Sequence, residues 1–267
     1  MVSNLSIAFM IFSVLLSLGF PFGLIIYMYR KKLFSFKAMG IGIIIFILFS
    51  QILESLLNRY VLLDNVGTST LLNHQPWLYA TYGAFAAGLF EEVGRYVAMR
   101  WVLVKERSWS DGISYGLGHG GMEALLIGVL GSVSSITLAT MINTGKFQAM
   151  VNSTSAKSTL LALKSNLIHL PPFMFALSGL ERVFALTIQL ALSLIVLYGV
   201  RHQKIRFLFL AILLHAVVDF LPGLSQAAKL NIWLVEAILL VFAIIAGVFV
   251  VKSKVWFHND RKDQPIA

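Results

Sequence analysis

LSIAFMIFSVLLSLGFPFGLIIYMY, residues 5–29, is followed at once by Arg30, Lys31 and Lys32. A helical run of that length without a charge is long enough to cross a hydrocarbon core about 30 Å thick. No basic residue precedes it, whereas a signal peptide carries its positive charge in front of a shorter apolar core. The segment therefore reads as a retained first membrane helix, and the pattern of apolar block followed by basic residues recurs along the chain.

Helices are expected at 5–29, 38–63, 77–104, 111–138, 179–200, 205–221 and 231–251. This is an all-α class: a polytopic transmembrane bundle of about seven spans. Composition agrees. Of 267 residues 58% are hydrophobic and 12% charged, against about 25% charged in soluble domains. The length suits one integral membrane domain over 1–267 and leaves no room for a sizeable soluble one. The net charge of +9 comes mostly from Lys and Arg at helix ends. The lipid bilayer is thus the expected partner, and nucleic acid is not. With no cysteine, disulfides and thiolate metal sites are excluded.

Loop charge gives an orientation. Cations cluster after the first, third, fifth and seventh helices, as at Arg30, Lys105, Arg201 and Lys252, with Arg261 and Lys262 beyond. The alternate loops hold scattered ones such as Lys146 and Lys229. The positive-inside rule then places the N-terminus outside and the C-terminus in the cytoplasm, as an odd number of spans requires. The long connection 139–178, with Pro171-Pro172, lies outside and has room for a surface helix. The expected location is a bacterial cytoplasmic membrane, crossed several times.

Ionisable side chains inside a span are costly and mark functional sites. Here three helices concentrate them. Glu91, Glu92 and Arg95 sit mid-span in the third, with Glu91 and Arg95 on one face at i,i+4. The fourth carries His119 and Glu123, and the sixth His215 and Asp219, both at the same spacing. Counted from the cytoplasmic ends at 1.5 Å per residue, Glu91 lies about 20 Å deep, Glu123 about 18 Å, His215 about 15 Å and His119 about 12 Å. Asp219 lies about 21 Å deep and Arg95 about 14 Å. Helices running in both directions bring their polar groups to one layer. The bland alternative, ion pairs and hydrogen bonds that only fix helix packing, does not call for a second adjacent glutamate. The glycines of the fourth helix, from Gly112 to Gly131, read mostly as sites of close helix packing.

Glu91, Glu92, Glu123 and Asp219 offer four negative charges against one fixed positive charge, Arg95. Either several of these carboxyls hold protons, or a bound cation compensates. A carboxylate here can take a proton from water and return it to a leaving amine, while an imidazole orients that water or stabilises the oxyanion. There is no HExxH motif. His119, Glu123, His215 and Asp219 also form a mixed nitrogen and oxygen set suited to a divalent metal such as zinc. Spacing leaves metal-bound and carboxylate-activated water both open.

The stretches FEEVGRY (90–96), GHGGMEA (118–124), GLERVFA (179–185) and LLHAVVDF (213–220), in that order, resemble the YhfC family of intramembrane proteases, kin of the PrsW-like and CAAX prenyl protease groups. The resemblance implies hydrolysis of a peptide bond in a membrane protein or peptide, glutamic-type or metal-assisted. It implies that Glu91 or Glu92 activates water, that His119 and His215 bind that water or the oxyanion, and that Arg95 holds the glutamates. Glu123, Asp219 and Glu181 would support them. The basic residue follows Glu91 by four positions rather than the five of the CAAX pattern, and the third motif ends in Asp219 rather than asparagine. The rival reading is a proton- or ion-coupled transporter, which also keeps midplane acids and histidines; the repeated halves typical of carriers are not evident. Gln51, Glu54, Asn58 and Arg59, toward the outer half of the second helix, read as a solvated helix end.

Overall fold

The computed structural model describes residues 1–228 and 230–259. Lys229, Arg261 and Lys262, used above for orientation, lie outside the described residues, and so does the side chain of His258.

Ten helices follow one another among the described residues, with no strand. They are α1 (Asn4–Arg30), α2 (Phe36–Asp64), α3 (Val66–His74), α4 (Pro76–Val97, running on through Ala98–Val102), α5 (Trp109–Asn143), α6 (Phe147–Asn152), α7 (Lys157–His169), α8 (Phe173–Arg201), α9 (Arg206–Ala228) and α10 (Ile232–Asn259). All seven expected spans are present as helices. Six of them, α1, α2, α5, α8, α9 and α10, are long and apolar enough to cross a bilayer. The seventh, α4, matches them in length, but Glu91, Glu92 and Arg95 interrupt its apolar surface. The protein is an integral, multi-pass membrane protein.

Local chemistry sets several boundaries. Ser35 caps α2 by accepting from the backbone N–H of Ala38, at 3.2 Å, which satisfies one of the donors every helix start leaves open. Pro76 opens α4, where its missing N–H costs nothing. Four stretches widen to π geometry, among them Ile47–Glu54 in α2 and Ala124–Leu130 in α5. Such insertions are frequent at functional sites. The expected connection 139–178 is largely helical: α5 extends to Asn143, α6 and α7 follow, and α8 begins at Phe173.

The chain divides into two compact units, Met1–Gly23 with Glu123–Val183, and Leu24–Met122 with the residues from Phe184 onward. In the first, Val2, Met10, Ala139 and Leu167 form a buried apolar cluster, and Asn143 ties down the N-terminus by bonding both the N–H and the C=O of Val2. In the second, α4 packs along most of α9, and α2 packs against α4. Two close approaches hold this unit in register. A Cβ on Gly88 of α4 would sit 2.9 Å from the Ile212 carbonyl oxygen of α9. A Cβ on Gly118 of α5 would sit 2.0 Å from the Met39 oxygen of α2, and one on Gly42 would sit 2.3 Å from the Tyr115 oxygen. At both crossings only hydrogen fits between the backbones.

Candidate functional site

The second unit gathers the acids and histidines of α4, α5 and α9. One α-helical turn of α4 carries Glu91, Glu92 and Arg95, all buried. The sequence pairs Arg95 with Glu91 at i,i+4; the structure pairs it with Glu92 at i,i+3, since Glu91 points toward His119. Arg95 Nη1 donates to both Glu92 oxygens, at 2.6 and 2.7 Å. His215 Nδ1 lies 2.8 Å from Glu92 Oε1. Glu92 therefore has its oxygens tied to a guanidinium and an imidazole.

Glu91 is held differently. His119 Nε2 lies 2.8 Å from Glu91 Oε2, and Gln189 Nε2 of α8 donates to the same oxygen at 3.0 Å. Arg95 Nη2 donates to Gln189 Oε1, so the amide bridges the two halves of the cluster. His215 Nε2 stands 3.8 Å from Glu91 Oε2 and 3.3 Å from Asp219 Oδ2. Asp219 is the exposed edge, its side chain 40% accessible. Tyr115, one turn before His119, stacks against that imidazole with ring centroids 6.1 Å apart and is fully buried. The close approaches at Gly42 and Gly118 flank His119 and fix its height against α2.

Six of the residues singled out by spacing thus meet: Glu91, Glu92, Arg95, His119, His215 and Asp219. Glu123 and Glu181 engage Arg182, within the first unit, at 3.0 and 3.6 Å. Two residues at or near the site escape the motif reading. Gln189 is a single amide in an apolar helix, with no periodic signal to mark it. Glu54, assigned above to a solvated helix end, is half-buried on the stretch of α2 that packs against α4.

The family described as YhfC intramembrane metalloprotease matches residues 13–239. A protein of Bacillus subtilis (strain 168), described as uncharacterized membrane protein YhfC, is 38% identical over 255 residues, covering 95% of this chain and 98% of that one. The chain belongs to the YhfC family. No solved structure matches it. All four stretches that carry the resemblance fall inside the matched region of this YhfC chain.

The family description implies a metal. Among the described residues of this YhfC chain, no group of three or more His, Asp or Glu side chains is arranged to hold one. The geometry explains why. His119 and Gln189 both converge on a single oxygen of Glu91, and Glu92 is occupied by Arg95 and His215. The spacing-derived set His119, Glu123, His215 and Asp219 is not assembled as a ligand cage, since Glu123 engages Arg182. Zinc ligands surround a point at about 2.0–2.2 Å for nitrogen and oxygen; here His119 is instead bonded to Glu91, His215 to Glu92 and Glu123 to Arg182. In this arrangement the donor set does not fit a metal ion.

Proposed function

We propose that this chain is an intramembrane protease that hydrolyses a peptide bond of a membrane-associated protein or peptide, with Glu91 as the general base. The asymmetry of the glutamate pair is the observation that carries the reading. Glu92 has both oxygens bound by Arg95 and one also by His215. Glu91 is positioned through one oxygen by His119 and Gln189, and its other oxygen is the one offered to water.

In the proposed reaction a water sits beside Glu91, on the side where His215 and Asp219 reach the accessible edge. Glu91 takes one proton from it as the water oxygen bonds to the scissile carbonyl carbon. The carbonyl electrons move onto oxygen, and His215 Nε2–H donates to that oxyanion. Glu92 keeps the imidazole oriented through Nδ1, and Asp219, beside Nε2, gives up that N–H as the oxyanion forms. Glu91 then passes its proton to the amide nitrogen. The C–N bond breaks, leaving a carboxyl and an amine. His119 and Gln189 hold Glu91 in line, and Arg95 holds Glu92. The loop cations support an external N-terminus and a cytoplasmic C-terminus.

The test is purification in detergent, incubation with candidate membrane substrates, and comparison with Glu91→Ala, Glu92→Ala and His215→Ala. Cleavage that disappears in the Glu91 and His215 variants supports the reading. Unchanged cleavage refutes it, and solute uptake into liposomes that depends on these residues would favour a carrier.

A further inference from the structure

A protease inside a membrane must bring water to a buried carboxylate, and the residues that would do so are set out along α2. This helix is strongly apolar, yet Ser50, Glu54 and Asn58 recur every four residues along it. Asn58 Nδ2 donates to Glu54 Oε1 at 3.1 Å, Ser50 lies one turn further along the helix from Glu54, and Gln51 Nε2 donates to Ser50 Oγ at 3.3 Å. From α4, Tyr82 donates its hydroxyl to Asn58 Oδ1 at 2.8 Å. The rungs therefore join two helices. The Ile47–Glu54 stretch of α2 packs against α4, and Phe46, one turn beyond Ser50, meets the His119 ring with centroids 5.0 Å apart. Tyr82 precedes Glu91 by nine residues on α4, about 13 Å of helix. The ladder thus descends from the α3 end of the unit toward Glu91. Asp219, 40% accessible, stands on α9 beside His215.

Packing alone does not account for these groups. A glutamate in a span is costly, and the hydrogen bond this one accepts comes from a neutral amide, Asn58. Glu54 and Asn58 are half-buried rather than sealed. The lower half of the ladder, Ile47–Glu54, has π geometry, in which roughly 4.4 residues complete a turn, so residues four apart stay nearly in line. Polar atoms at such intervals are what a file of hydrogen-bonded waters requires.

We propose that the Ser50–Glu54–Asn58–Tyr82 ladder is the route by which water reaches Glu91, with Glu54 as the positioning residue that holds water midway along it. This rests on the protease reading for its purpose, but its existence is measurable without any cleavage.

The chain lacks cysteine, so single cysteines can be labelled cleanly. Hydrophilic methanethiosulfonates react with ionised thiols in water, so a thiol facing lipid is inert. Ser50→Cys in the full-length protein in liposomes should react with a charged methanethiosulfonate at least tenfold faster than Ile44→Cys, whose parent side chain is exposed on the same helix. Adding Glu54→Leu or Asn58→Leu should slow Ser50→Cys labelling at least tenfold and leave Ile44→Cys unchanged. Where cleavage is measured, Glu54→Leu should lower kcat with KM unchanged, and Glu54→Gln should restore most of the rate. Equal labelling of Ser50→Cys and Ile44→Cys overturns the proposal. So does a labelled Ser50→Cys that neither leucine slows. A labelled, leucine-blocked ladder in a protein that cleaves no substrate would count against the protease reading and leave the water route standing.

Discussion

Replacing Arg95 by Met removes the one guanidinium of a fully buried cluster and keeps most of its volume. Both partners of the ion pair have no exposed side-chain surface. The change deletes two hydrogen bonds to Glu92, at 2.6 and 2.7 Å, and one to Gln189. Glu92 then keeps a single partner, His215, for a carboxylate far from water. Breaking a buried pair from one side costs about 3–5 kcal/mol, because the remaining charge is stranded rather than because the pair was so favourable. At 1.4 kcal/mol per tenfold, Arg95→Met should shift the folding equilibrium by roughly two to three and a half orders of magnitude. Neutralising the stranded partner should undo much of this: Glu92→Gln with Arg95→Met should recover about 2 kcal/mol or more. The assay is equilibrium unfolding in mixed micelles, titrating sodium dodecyl sulfate and following helix content for the wild type, both single variants and the double. A double variant as unstable as the sum of the two singles would refute the reasoning, and so would an Arg95→Met protein as stable as the wild type.

Gln189→Leu removes the bridge between Arg95 and Glu91 but no formal charge; cleavage should fall about 10–100-fold, as for a lost orienting bond, while Gln189→Glu restores no rate because it sets a like charge 3.0 Å from Glu91 Oε2. Steady-state kinetics on purified variants check both. Gly118→Ala should cost about 1–3 kcal/mol by forcing α5 away from Met39, and, by shifting His119, it should lower kcat more than any loss of folded protein explains. Titrating zinc into chelator-treated protein should leave the melting temperature unmoved, because His119, Glu91 and His215 face one another rather than a shared ion; a rise of several degrees that saturates at one zinc per chain would contradict this geometry.

Much of this arrangement was readable beforehand. Apolar blocks gave the seven long helices, because burying an uncharged run in lipid dominates every other local preference. The meeting of Glu91, Glu92, His119 and His215 followed from depth, since costly charges at one level have to find one another. Partner choice was less legible. Spacing assigns a residue to a face but does not say which neighbour it will meet there. Arg95 chose Glu92 over Glu91, and Glu123 engages Arg182 although it lies one turn beyond His119. Gln189 carried no pattern at all. Glu54 reads as a wet helix end by depth alone, because depth does not reveal that α2 lies against α4 there. Helix α3 is not legible for a simpler reason: it is short and weakly apolar, so no hydrophobic run announces it.

The assignment of the base is tested most directly by isosteric amides at the two adjacent glutamates, with single-turnover cleavage of one membrane substrate measured on protein shown to be folded. Glu91→Gln can still accept from His119 and Gln189, so the fold should survive while cleavage drops by three orders of magnitude or more. Glu92→Gln should lose stability first and retain measurable cleavage in its folded fraction. A Glu91→Gln protein that cleaves at close to the wild-type rate would contradict the account.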